Sequence, residues 1–445
     1  MQAIHPIKLL LWSLLVWVFF YSQLPVTYLY SGGIWFPLFT LTLFVLAFCL
    51  GVISLKTSLV KPLKVTSNKK TKQIAYLFFF IGVIGILLKL YIGFFKSGIY
   101  IANDIFEQRL ENMGKELTGG AVGVIASILY PFSFLALLVT IYNYKIFNKT
   151  HLFLIVSFGL YPIIETFFMG GRTIIALLGT TIIIVSYASF FKNTTFTIVK
   201  FKVLKTTLAS LPKFLFKKKV IIPLAIVSLL FVSYSIKVLD TRLTRFNYGD
   251  TVFKVWEQKD YQWVKFDKDF KEAFYSALPN EKSRMLGLFS LKHYFAHGVF
   301  EYVRLVNDLE KTTGYHYGQY EFNVFFKFFR VFGAPLKSFD ELNDIVKRKA
   351  VYQTFFGPFY IDFGLFGIVL LFFWGRFSKR IYTHAKRGHT QYIIFYGYLS
   401  TIIITSIYLN FLMGSSSYYL FTFFISLLVF KYWPNNLTFI AKHKL

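Results

Sequence analysis

Arg172 follows Gly170 and Gly171 at the turn between two long apolar runs. Two residues without a Cβ let the backbone bend tightly and let a bulky ligand come close. An arginine near hydrocarbon costs up to about 3 kcal/mol, so Arg172 either points into a polar cavity or snorkels to the membrane interface as an anchor. A second set lies in 290–309, where His293, His297, Glu301 and Arg304 recur at i, i+4, i+8 and i+11. On a helix that spacing puts all four on one face. An imidazole titrates near neutral pH and can move a proton there. Read as metal ligands, the two histidines and the glutamate lack a fourth donor. Asp267 and Asp269 have a spacing that can hold a divalent cation. They sit, however, in an alternation of acids and bases typical of a solvated helix face, and no metal site is assigned.

Hydropathy sets the elements that must carry these residues. The chain of 445 residues is 56% hydrophobic with mean hydropathy +0.54, above the roughly 45 to 50% of soluble domains. It is expected to be an all-α polytopic membrane protein of about ten spans, at 9–27, 34–55, 75–95, 121–142, 152–169, 173–191, 220–236, 356–374, 392–411 and 417–433. The first run lacks a small-x-small cleavage site and reads as a retained helix. With both termini cytoplasmic, no acidic residue falls in any inner segment, and eight lysines lie between Lys192 and Lys219. The net charge of +28 is thus a positive-inside signal rather than one for nucleic acid. Cys49 stands alone, so no internal disulfide forms.

Three parts follow: 1–236 with spans one to seven, a large external loop at 237–355, and 356–445 with the last three spans. The stretch 237–354 holds 19 of 49 Lys and Arg and 15 of 21 Asp and Glu, so water-facing chemistry is expected there. Within it, 252–278 reads as one amphipathic helix. The first outer loop, 28–34, carries no charge.

Three stretches resemble the Wzy-type oligosaccharide repeat-unit polymerases of O-antigen, capsule and enterobacterial common antigen. They are Gly170-Gly171-Arg172; the run from Tyr294-Phe295 through Arg304 to Gly318 and Pro335; and Val351-Tyr352-Gln353-Thr354 leading into Tyr360-Ile361-Asp362-Phe363-Gly364-Leu365-Phe366-Gly367. Arg109 and Gly120 add the R-x10-G spacing of outer loops in that family. The resemblance implies a GT-C-type glycosyltransferase fold and transfer of a growing glycan from undecaprenyl pyrophosphate to an incoming lipid-linked repeat unit. Such chemistry needs cations for the leaving group and a base for the acceptor hydroxyl. The implied pyrophosphate contacts are Arg172, Arg242, Arg245 and Arg109, since arginine grips phosphate with two prongs. His293 is the implied base; Arg304, Glu301, His297, Tyr294 and Asp362 are acceptor-side or secondary residues. No cofactor or metal is implied. The implied partners are the lipid-linked oligosaccharide, the bilayer and a chain-length regulator, and the implied location is the plasma (inner) membrane. Two other readings are an O-antigen ligase, with the same donor, and a lipid-linked oligosaccharide flippase or transporter, which requires charges along a path through several spans.

Overall fold

The computed structural model describes residues 3–30, 32–63, 66–97, 120–168, 173–194, 233, 252–257, 264–309, 315–331, 333–338, 341–342 and 353–434. In chain order the main elements are α1 (Pro6–Tyr21), β1 (Val26–Tyr28), α2 (Trp35–Ser54), α3 (Asn68–Tyr91), α4 (Gly120–Leu129), α5 (Pro131–Tyr142), α6 (Lys149–Gly159), α7 (Tyr161–Phe168), α8 (Thr173–Thr194), α9 (Val252–Glu257), β2 (Val264–Phe266), α10 (Lys268–Ser276), α11 (Pro279–Leu309), α12 (Asn323–Val331), α13 (Phe356–Phe363), α14 (Gly367–Lys386), α15 (Thr390–Thr405) and α16 (Ser417–Tyr432). Among the described residues six helical stretches are long and apolar enough to cross a membrane, and α1 and α16 are shorter apolar helices. The chain is a mostly helical polytopic membrane protein. Every expected span but the seventh overlaps a helix, though α1 ends at Tyr21 and α15 at Thr405, short of the expected 27 and 411; 220–236, apart from Ser233, lies outside the described residues. Arg109, Arg172, Arg242 and Arg245 lie outside them too.

Long apolar runs become helices here because hydrocarbon offers no partner for an unmade backbone hydrogen bond. Pro131 and Pro162, each lacking an N–H, stand at the first turns of α5 and α7, where two of the long runs restart. Between helices, small residues set the closest approaches. A Cβ on Gly51 of α2 would fall on the Phe372 carbonyl oxygen of α14, and one on Gly375 of α14 on the Phe48 carbonyl oxygen of α2. Gly82 and Gly85 of α3 lie in the same way on the backbone of Ser133 and Tyr130. At these crossings the obstacle is backbone, which cannot rotate aside. Gly51→Ala and Gly375→Ala are therefore expected to lower the melting temperature in detergent, while Gly179→Ala, with open space around it, leaves it unchanged. Equal melting curves for Gly51→Ala and wild type would contradict the α2–α14 crossing.

The stretch expected as one helix over 252–278 is instead α9, β2 and α10. Pairing with a distant segment overrides its helical spacing. β2 joins β1 antiparallel, with Val26 opposite Phe266, Thr27 opposite Lys265 and Tyr28 opposite Val264. The two strands close a small aromatic core of Tyr28, Phe253, Trp256, Phe266, Phe289 and Phe300. Helix α11 lies along the bundle. The Trp17 indole of α1 donates to the Ala296 carbonyl at 2.9 Å, Phe20 stacks on Phe295, and the Tyr302 hydroxyl meets Thr40 of α2 at 2.8 Å.

Candidate functional site

The shared face on α11 is buried rather than solvated. His293, His297, Glu301 and Arg304 are each no more than 6% exposed. From Ala296 to Val306 every residue of the helix is buried, because α1, α2 and α13 pack against α11. His293 Nδ1 lies 2.8 Å from the Tyr28 hydroxyl. Around its ring stand Trp256 at 5.2 Å, Phe289 at 5.5 Å, His297 at 5.0 Å and Tyr28 at 5.7 Å. Burial, and next the Glu301 carboxylate, push the Tyr28 phenol well above its ordinary pKa, so it stays a neutral hydroxyl.

One turn on, His297 Nδ1 is 2.8 Å from the His293 carbonyl oxygen. A carbonyl only accepts, so Nδ1 carries the proton and a neutral His297 takes its next one on Nε2. Arg304 Nη1 donates to Glu301 Oε1 at 2.8 Å. A charge pair this deep is tolerated because each ion answers the other. Tyr294 is half-buried, its ring 6.0 Å from that of His297. This one helix thus brings together five of the residues named from sequence. Tyr28, which was not among them, joins them through a strand of three residues.

Asp362 lies apart from that row and holds a turn together. Its carboxylate accepts the backbone N–H groups of Tyr320 at 3.0 Å and Glu321 at 2.8 Å, and its carbonyl accepts Tyr317 N–H at 3.0 Å. Tyr317 and Gly318 both have positive φ, 52° and 90°, so the sharp turn is formed around this one side chain. The turn carries Glu321, another residue unnamed from sequence, into full burial. Asn410 Nδ2 donates to its two oxygens at 2.8 and 3.2 Å. Burial raises the Glu321 carboxyl well above its ordinary value of 4.5, with the Asn410 bond opposing and the Asp362 charge adding to the rise.

A carboxyl raised in the folded state contributes stability that is complete below the unfolded pKa and lost as pH rises through the folded one. Glu321→Gln, which removes the titration, is therefore expected to melt higher than wild type at about pH 8 and to match it near about pH 4. A gap that widens on acidification would contradict the assignment.

Asp267 and Asp269 are exposed around the start of α10. Among the described residues no group of three His, Cys, Asp or Glu side chains is placed to hold a metal ion. The chain matches no family model, no curated protein and no solved structure.

Proposed function

We propose that this chain polymerises undecaprenyl-pyrophosphate-linked oligosaccharide repeat units, with its active site on the outer face of the plasma (inner) membrane and both termini in the cytoplasm. The observation that supports this reading best is the row of His293, His297, Glu301 and Arg304, a proton acceptor and a paired cation buried against membrane helices. A lipid-linked substrate needs such polar groups among membrane helices, because its lipid stays in the bilayer.

In the proposed step a histidine takes the proton of the acceptor sugar hydroxyl, and the oxygen attacks the anomeric carbon of the donor glycan. The bond from that carbon to the pyrophosphate oxygen breaks, and undecaprenyl pyrophosphate leaves with the electron pair. His293 and His297 are the two proposed bases; on His297 the proton sits on Nδ1, which leaves Nε2 as its basic nitrogen. Glu301 holds Arg304, and Arg172, Arg109, Arg242 and Arg245 are the proposed pyrophosphate contacts. The proposed reaction uses no metal.

The test is reconstitution. Purified protein in lipid vesicles receives lipid-linked repeat units extracted from cells that lack the gene. Products at multiples of the repeat mass, with release of undecaprenyl pyrophosphate, are expected. Substrate returned unchanged on the same leaflet would overturn the reading, and substrate moved intact between leaflets would replace it with transport.

A further inference from the structure

Positive charge gathers unanswered where α1 begins and α14 ends. No Asp or Glu occurs before Asp104 or after Asp362, so these two helices, which pack on each other, come from acid-free sequence. Lys379 of α14 donates from Nζ to His5 Nε2 at 2.8 Å, since an ammonium only donates and the ring nitrogen must accept. Burial, and then the charges of Lys379, Lys8 and Lys386, push His5 down to about 4. The ring stays neutral near pH 7, and three cations converge on it. Lys8 and Lys386 are exposed. Among the described residues neither side chain has a hydrogen bond, and no carboxylate pairs with any of the three lysines. Arg387 is a different case, answered by the carbonyls of Thr57, Val60 and Lys61.

Like charges held together repel, and the described protein places no anion beside them. The bilayer has anions at this depth. On α1 the exposed Leu11, Trp12 and Leu15 stand three, four and seven residues beyond Lys8, and so on its face of the helix. On α14 the exposed Val369 and Phe373 lead in the same way to the exposed Arg380. Each helix shows an apolar stripe that ends in cations, which is the order of acyl chain and phosphate in a phospholipid. We infer that Lys8, Lys379 and Lys386 form a headgroup site for an anionic phospholipid whose chains lie along α1 and α14. A free phosphate carries the same charge but has nothing to lay on the apolar stripes. This site is independent of the polymerase reading.

The test is thermal unfolding of the full chain in detergent, titrated with phosphatidylglycerol, phosphatidylcholine or inorganic phosphate. A ligand bound only by the folded state raises the melting temperature as its concentration rises. Phosphatidylglycerol is expected to do so, and the other two are not at the same concentrations. Lys8→Gln with Lys386→Gln removes two charges and breaks no hydrogen bond. In that variant the lipid concentration that gives half the rise is expected to increase about tenfold or more. Lys8→Arg with Lys386→Arg keeps both charges and is expected to titrate like wild type. Lys145→Gln with Lys149→Gln removes as much charge beside α6, which packs on α3, α5 and α7, and is also expected to titrate like wild type.

Equal losses in the two glutamine variants would reveal a diffuse attraction and overturn the site. So would no rise with phosphatidylglycerol in wild type, or an equal rise with phosphatidylcholine. A rise with inorganic phosphate that matches the lipid's would overturn the lipid assignment in favour of a free anion.

Discussion

Arg172→Lys is expected to reach the membrane at wild-type levels and to produce mainly single-repeat glycan. Lysine keeps the charge and the long apolar stem that a snorkelling anchor needs. It loses the planar, two-pronged donor geometry that a phosphate clamp needs. Losing one charge-assisted contact made chiefly in the transition state costs about 2.7 to 4 kcal/mol, or roughly 10² to 10³ in rate. Arg172→Ala is at least as damaging. The measurement is the glycan ladder on a gel at matched membrane abundance, and a normal ladder from Arg172→Lys would return this residue to the anchor role.

Glu301→Ala has the largest expected effect on stability. It strips Arg304 of the carboxylate that answers its charge at 2.8 Å, at a site where both side chains are almost wholly buried. Breaking a buried pair from one side costs about 3 to 5 kcal/mol, whereas replacing both ions with apolar groups of similar volume is often neutral. Glu301→Ala should therefore lower the melting temperature markedly, and Glu301→Met with Arg304→Met should recover most of it. Activity should stay low in both, because the row has lost its polar members. A Glu301→Ala variant with a wild-type melting curve would show that the pair carries no such burden.

That the chain is a helical membrane protein was legible because the length of an apolar run is a one-dimensional property, and a bilayer asks for little more. The common face of His293, His297, Glu301 and Arg304 was legible for a related reason, since helical period follows from spacing alone. That the face is buried was not. It depends on α1 and α2, more than two hundred residues earlier, and charged residues at helical spacing read as solvated by default.

The β1–β2 pair was hidden more deeply. Each strand has three residues, too few for a period, and Tyr28 reaches His293 only because Val26 finds Phe266 across the chain. For β strands such long-range context outweighs local preference. Glu321 and Asn410, 89 residues apart, were invisible for the same reason.

Whether the chain joins repeat units is decided by the surface glycan of cells that lack the gene. Such cells are expected to carry glycan with a single repeat unit, with the ladder restored by the wild-type chain and not by Arg172→Lys. An unchanged ladder would contradict it, as would glycan absent from its surface carrier altogether, the outcome of losing a ligase or a flippase.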